Sequence, residues 1–267
     1  MQTKSSQSSV NHIEYKKNFL KNVIFRLDFN SLEQLSNNAP PEFGNVIAEK
    51  YHSPAQGEVK HLQVSISADG TKTIKEESNW IWKYEHKGST KKSISLLKDA
   101  LIFECHETGY KNFSTFEEDV CFIFNKFIDL YDVKQFGRIG LRYINEIFIP
   151  ENKNPLKWQG YINPNLCNAL ESGIVDGSTP IRSMHQVQIK LDEIDVLFNY
   201  GIFNRDYPNP IAKPELILDY DYYISGMLEK NDVLSKLVSL NAVSRRMFEY
   251  SIENQLREKM EIIHEKK

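Results

Sequence analysis

Cysteine is scarce in this chain. Three occur in 267 residues, Cys105, Cys121 and Cys167, and no C-x-x-C pair exists. An odd number of widely spaced cysteines does not make a disulfide framework and fits a reducing compartment. Without paired cysteines a structural zinc site is not expected. No apolar run approaches the roughly 18 residues of a membrane helix. With 26% charged residues and a mean hydropathy of -0.48, a soluble cytoplasmic protein without membrane contact is the expectation. The opening stretch, MQTKSSQSSVNHIEYKKN, has no apolar segment of the secretory type and predicts a disordered polar tail over residues 1–17.

Basic excess is absent too. Lys and Arg number 33 against 36 Asp and Glu, for a net charge of -3 and a pI near 6.2. Non-specific nucleic-acid binding rests on neutralising phosphates, so such a role is not expected. The seven histidines form no H-x-x-x-H or H-E-x-x-H helix. There is no G-x-S-x-G elbow, no phosphate-binding G-x-x-x-x-G-K-[ST] loop and no G-x-G-x-x-G. Cys105 and His106 are strand neighbours that face opposite ways, so they make no dyad. These absences lean against an enzyme.

What is present is a repeated order of elements. NVIFRLDFN (Asn22–Asn30) alternates as a strand. Pro40-Pro41 then precedes a short helix around Glu42–Tyr51. Three strand-like segments follow: Glu58–Ala68, Thr73–His86 and Lys92–Glu107. Asp69-Gly70 is a hairpin turn between the first two, and Lys98-Asp99 is a candidate break in the third. Phe113–Asp132 carries an apolar stripe at helical spacing, with Ser114 and Glu117 placed as a capping box.

The order then begins again. RIGLRYINEIFIP is a strand and Asn163–Gly173 a short helix. Ile181–Asp192, Asp195–Arg205 and Pro214–Ser225 are strands. A long helix is expected over Asn231–His264, with Val233, Leu237, Leu240, Ser244, Phe248, Ile252, Leu256, Met260 and Ile263 along one face. The pattern predicts an α+β protein of tandem β-α-β-β-β-α units, residues 18–135 and 136–267, packed as one body. Antiparallel strands would carry the helices on one face. The lead strands overlay as FRLDF (Phe25–Phe29) on LRYIN (Leu141–Asn145).

RIGLRYINEI together with LILDYDYY resembles an uncharacterised family of bacterial proteins of about this length with a sporadic distribution among genomes. Arg138, Gly140, Leu141, Arg142, Tyr143 and Asn145 match its Arg-x-Gly-Leu-Arg-Tyr-x-Asn strand. Leu218, Asp219 and Asp221 match a later aliphatic–Asp–x–Asp strand, and Phe248 matches the C-terminal helix. Tyr110 with Phe113 also looks like the family. The second motif is more usually Asp-aliphatic-Asp, whereas Tyr220 stands between the aspartates here. The resemblance implies no agreed activity. The family's patchy distribution implies a protein-binding or regulatory component of a mobile defence or toxin–antitoxin-like locus, with a partner protein.

The chemistry-bearing groups lie on these two strands. Arg138, Gly140 and Arg142 share a face, as do Asp219 and Asp221, whose side chains stand about 7 Å apart. The first expectation is a structural ion pair between neighbouring strands. A second is a small-molecule or anion pocket using Arg138, Arg142, Tyr143 and Asn145. A third is a metal-dependent phosphoesterase or nuclease with Mg²⁺ on Asp219 and Asp221, the one cofactor considered. Val187–Lys190 has only a weak nuclease-like look. Gly140 permits close approach by a helix or ligand. Trp80, Trp82 and Tyr84 share a strand face and are expected in the core. The end of the long helix is a candidate contact with a second copy.

Overall fold

A computed structural model of the chain describes residues 12–36, 40–66, 72–171 and 180–266. In chain order the strands of the main sheet are β2 (Leu20–Phe29), β3 (Ala55–Ile66), β4 (Lys72–His86), β5 (Ser89–Leu96), β6 (Ala100–His106), β7 (Gln135–Phe148), β8 (Ser183–Leu191), β9 (Ile194–Ile202) and β10 (Glu215–Glu229). They form a single antiparallel sheet in the order β3-β4-β5-β6-β2-β7-β10-β9-β8. The helices are α1 (Pro41–Ile47), α2 (Phe113–Tyr131), α3 (Pro164–Glu171), α4 (Val233–Ser251) and α5 (Asn254–Met260). The class is α+β, and no helix among the described residues is long and apolar enough to cross a membrane.

Strand alternation places the core. Val23, Phe25, Leu27 and Phe29 of β2 are buried, as are Leu141, Tyr143, Asn145 and Ile147 of β7 and Leu216, Leu218, Tyr220 and Tyr222 of β10. Phe43 of α1, Phe116, Val120 and Phe127 of α2, and Leu237 and Leu240 of α4 join them in one cluster. The helices therefore cover one face of the sheet, where burial of aliphatic and aromatic surface contributes most stability. Trp82 and Tyr84 are core residues, with Trp80 packed at their margin.

The two lead strands, β2 and β7, pair at the centre of the sheet. Outward from each comes the last strand of its own half, then the one before, so both halves share one winding. Phe25 and Leu141, equated in the overlay of lead strands, are cross-strand partners. The first half has one strand more than expected. Lys98-Asp99 is a true reversal, closed by Leu97 N–H on the Ala100 carbonyl at 2.8 Å, so Lys92–Glu107 is two strands, β5 and β6. The Asp69-Gly70 turn and Gly173 fall outside the described residues.

Three boundaries differ from expectation. The cap of α2 is Asn112 rather than Ser114, its side chain accepting from Thr115 N–H at 2.9 Å. The expected tail is structured from His12: β1 (His12–Tyr15) pairs with β11 (Ile262–Lys266) as a separate ribbon. The long C-terminal helix stops at Ser251. Ile252 is extended and bridged to Ile162, Asn163 N–H bonds the Ser251 carbonyl, and Glu253 N–H bonds the Tyr161 carbonyl. Backbone groups supplied by the Trp158–Asn163 segment thus replace helical bonds. Ile252, Leu256 and Met260 remain buried, so the apolar stripe survives the break. The residues beyond Met260, expected to continue the helix, form β11 and pair with β1 of the same chain.

Candidate functional site

The expected site residues divide between two faces of β7. Arg138, Arg142, Asp219 and Asp221 lie on the open face. Arg142 grips Asp219 bidentately, Nε to Oδ1 and Nη2 to Oδ2, both at 2.7 Å. Asp219 is 8% exposed, so the guanidinium supplies the charge that a buried carboxylate needs. This bond raises the Arg142 pKa further above its ordinary value. Arg138 Nη2 donates to Asp221 Oδ2 at 2.8 Å, and its guanidinium stacks on the Tyr223 ring at 4.6 Å. Burial raises the Asp221 pKa, with Arg138 and Arg142 pulling against it.

Gly140 has its reason here. A Cβ at this position would stand 2.9 Å from Arg138 Nη1, so the glycine makes room for the arginine of its own strand. Arg26 Nε holds Asp28 at 2.7 Å and extends the charge lattice across β2. Asp219 and Asp221 are therefore arginine partners in this geometry. Among the described residues no group of three or more His, Cys, Asp or Glu could hold a metal ion. Lys190 of the nuclease-like stretch pairs with Asp195 at 2.9 Å. Burial pushes the Cys105 thiol up to about 12, which keeps it protonated.

Tyr143 and Asn145 face the other way, into a cleft of about 980 Å³ between α2 and α4. Tyr143, Asn145, Tyr220 and Tyr222 form its floor. Tyr110 to Ser114, running into the first turn of α2, make one wall, and Asn241 to Glu249 of α4 contribute to the other. Ile13, Glu14 and Tyr15 of β1 and Ile263 of β11 lie across one end. The size suits a small-molecule site.

A polar chain crosses the floor. Asn241 bridges Tyr143 and Arg245. With its amide nitrogen on Tyr143 Oη at 2.9 Å, its carbonyl accepts from Arg245 Nε and Nη2 at 3.3 and 3.1 Å. The Tyr110 and Tyr143 rings meet edge to face, centroids 6.1 Å apart. Asn145 Nδ2 donates to the Leu218 carbonyl at 3.3 Å, which answers the amide's burial from a cross-strand backbone group. Burial raises the phenol pKa of Tyr143 and Tyr222 well above ordinary values, so both remain neutral donors near pH 7.

Tyr222 stands apart. It is fully buried, it lines the cleft, and its hydroxyl has no hydrogen-bond partner within the protein. The neighbouring Tyr220 hydroxyl, by contrast, donates to Ser251 Oγ at 2.7 Å. At the rim, Glu249 is engaged by Tyr15 at 2.7 Å and by Arg257 at 3.1 Å.

The structure thus separates the expected quartet: Arg138 and Arg142 are on one face, Tyr143 and Asn145 on the other. It also brings in Tyr222, Asn241 and Arg245, which lie a hundred residues or so away or on the next strand. Their signal was faint: Asn241 and Ser244 are polar residues on the buried stripe of α4, where Leu and Val are the rule. No protein-family model, curated protein or solved structure matches this chain.

Proposed function

We propose that this protein is a small-molecule-binding module whose ligand sits in the cleft between α2 and α4. The observation that supports the reading is the cleft itself, about 980 Å³ and lined by Tyr143, Asn145, Asn241 and Arg245. Tyr143 and Asn145 keep the ligand-facing role expected of them, while Arg245 replaces Arg138 and Arg142 as the candidate cation. The test is a thermal-shift screen of metabolites against the wild type and Ala242→Trp, which fills the cleft from an exposed helix position. A ligand should raise the melting temperature of the wild type alone. Equal shifts in both, or no shift from any compound, would remove the reading.

A second reading, binding of a regulatory protein partner in the cytoplasm, draws support from a different surface. Phe148, Phe203 and Tyr207 are each about half exposed, and Arg182 stacks on Phe203 and Tyr207 at 4.7 and 4.3 Å. Ile181 and Met184 extend this patch. Arginine and aromatic residues are enriched where proteins meet. Photo-crosslinking from position 207 in the native cell should give one discrete protein adduct. A smear equal to that from a control position on the open sheet face would count against a partner there.

A further inference from the structure

Away from the cleft, we infer that two copies of this chain join edge to edge through β8, antiparallel about a two-fold axis at Val187, so that their sheets become one. β8 ends the sheet, and among the described residues no strand pairs with its outer side. Such an edge presents unpaired N–H and C=O groups to another chain, and proteins that stay apart block it with proline, a bulge or outward charge. Ser183–Leu191 contains no proline, and its register with β9 runs unbroken over all nine residues. Its one lysine, Lys190, is drawn to Asp195 of β9 at 2.9 Å. Met184, Val187 and Leu191 are exposed apolar side chains on this strand.

The strand is complementary to itself in one register. His185, Val187 and Ile189 stand opposite Tyr200, Phe198 and Val196 of β9 and so continue the helix-covered side. Met184, Gln186, Gln188 and Lys190 take the open side. A two-fold axis at Val187 sets that residue against its own copy and Ile189 against His185. On the open side Gln186 meets Gln188, and Met184 meets Lys190, so no like charges face each other. The charges just beyond the strand select this register. Arg182 comes opposite Asp192 of the second copy, at both ends of the seam. Asp192 is exposed and has no ion pair among the described residues. Arg182 donates from Nε to the Phe203 carbonyl at 2.8 Å, which leaves its Nη groups for a carboxylate. An axis at Gln186 would instead oppose Arg182 and Lys190, and an axis at Gln188 would lose both Arg–Asp pairs. A two-fold contact of this kind closes at two copies.

Sedimentation equilibrium of the full chain tests this over roughly 1 to 300 μM, the range in which an interface of one strand per copy should dissociate. A monomer–dimer equilibrium is expected. Val187→Lys sets two like charges face to face on the axis and should weaken the dimer at least about 30-fold, with the circular dichroism spectrum unchanged. Arg182→Glu should weaken it about tenfold, and the pair Arg182→Glu, Asp192→Arg should restore it, because the same contacts re-form with their signs exchanged. Val187→Cys should give an interchain disulfide on mild oxidation, well above the wild type, since facing residues of paired strands stand about 5 Å apart. Lys190→Cys should not, because its copy lies roughly 20 Å away. Should Val187→Lys fail to fold, Arg182→Glu and its charge swap decide in its place. A chain that stays monomeric throughout this range overturns the inference, as does a dimer indifferent to Val187→Lys, or assemblies that grow beyond two. Equal crosslinking at positions 187 and 190, or a charge swap without recovery, overturns the pairing about Val187.

Discussion

The two faces of β7 pose the same physical problem and solve it differently. On the open face, Arg138 and Arg142 meet Asp221 and Asp219, and each buried or half-buried charge has its counter-charge within 2.8 Å. On the covered face, Tyr143 joins a polar chain through Asn241 to Arg245 and Asn145 bonds the Leu218 carbonyl, yet beside them Tyr222 is left without a partner. A charge lattice closed on itself has little left to offer a ligand. The eye goes first to the arginines in the sequence, but the cleft lies on the face behind them.

Breaking the closed face should have the largest effect. Arg142→Ala leaves the Asp219 carboxylate nearly buried with no partner. It should lower unfolding free energy by about 3 kcal/mol, read from the midpoint of urea denaturation at neutral pH. The double variant Arg142→Ala, Asp219→Leu should recover most of that loss, because an apolar pair needs no desolvation. If the single variant is as stable as the wild type, the pair is not structural.

The opposite face should respond with the opposite sign. Tyr222→Phe removes an unpartnered hydroxyl and should stabilise the ligand-free protein by about 1 kcal/mol, as a rise in melting temperature. A loss of similar size would mean that the hydroxyl is satisfied in solution. The smallest effect belongs to Gly140→Ala. The new methyl meets the end of a flexible arginine, so Arg138 swings out and gives up Asp221 and the Tyr223 ring. The expected cost is about 1 kcal/mol or slightly less, and it should nearly vanish in an Arg138→Ala background, a coupling that a double-mutant cycle measures directly.

Much of the architecture was legible because it is written in local periodicity. Alternation in Val23, Phe25, Leu27 and Phe29 and the helical stripe of Phe116, Val120, Phe124 and Phe127 each state which face is buried, and the structure buries those residues. The repeated order of elements was legible too, apart from the extra strand in the first half. Lys98-Asp99 was visible as a weak point but not as a reversal, since a turn of this kind needs no glycine or proline signature. The end of α4 was illegible for a different reason. Ile252, Leu256 and Met260 keep helical spacing, and what breaks the helix is backbone pairing with Tyr161 and Ile162, about ninety residues upstream.

The candidate site was legible only in part. Sequence placed Arg142 near Asp219 or Asp221 and left their role open; the register sets Arg142 opposite Asp221, yet the side chains lean diagonally, Arg142 to Asp219 and Arg138 to Asp221. It placed Tyr143 and Asn145 among ligand candidates, together with two arginines that the pleat sends to the other side.

The sequence by itself determined the class, the doubled order of strands and helices, and which side of each strand is apolar, because those depend on neighbours two to four residues away. Only the tertiary structure decided that β2 and β7 join the halves into one sheet, that Gly140 serves Arg138, and that Tyr222, Asn241 and Arg245 share a cleft with Tyr110 and Tyr143. Contacts between distant residues are fixed by strand register and helix packing, and no short stretch of chain encodes either one alone.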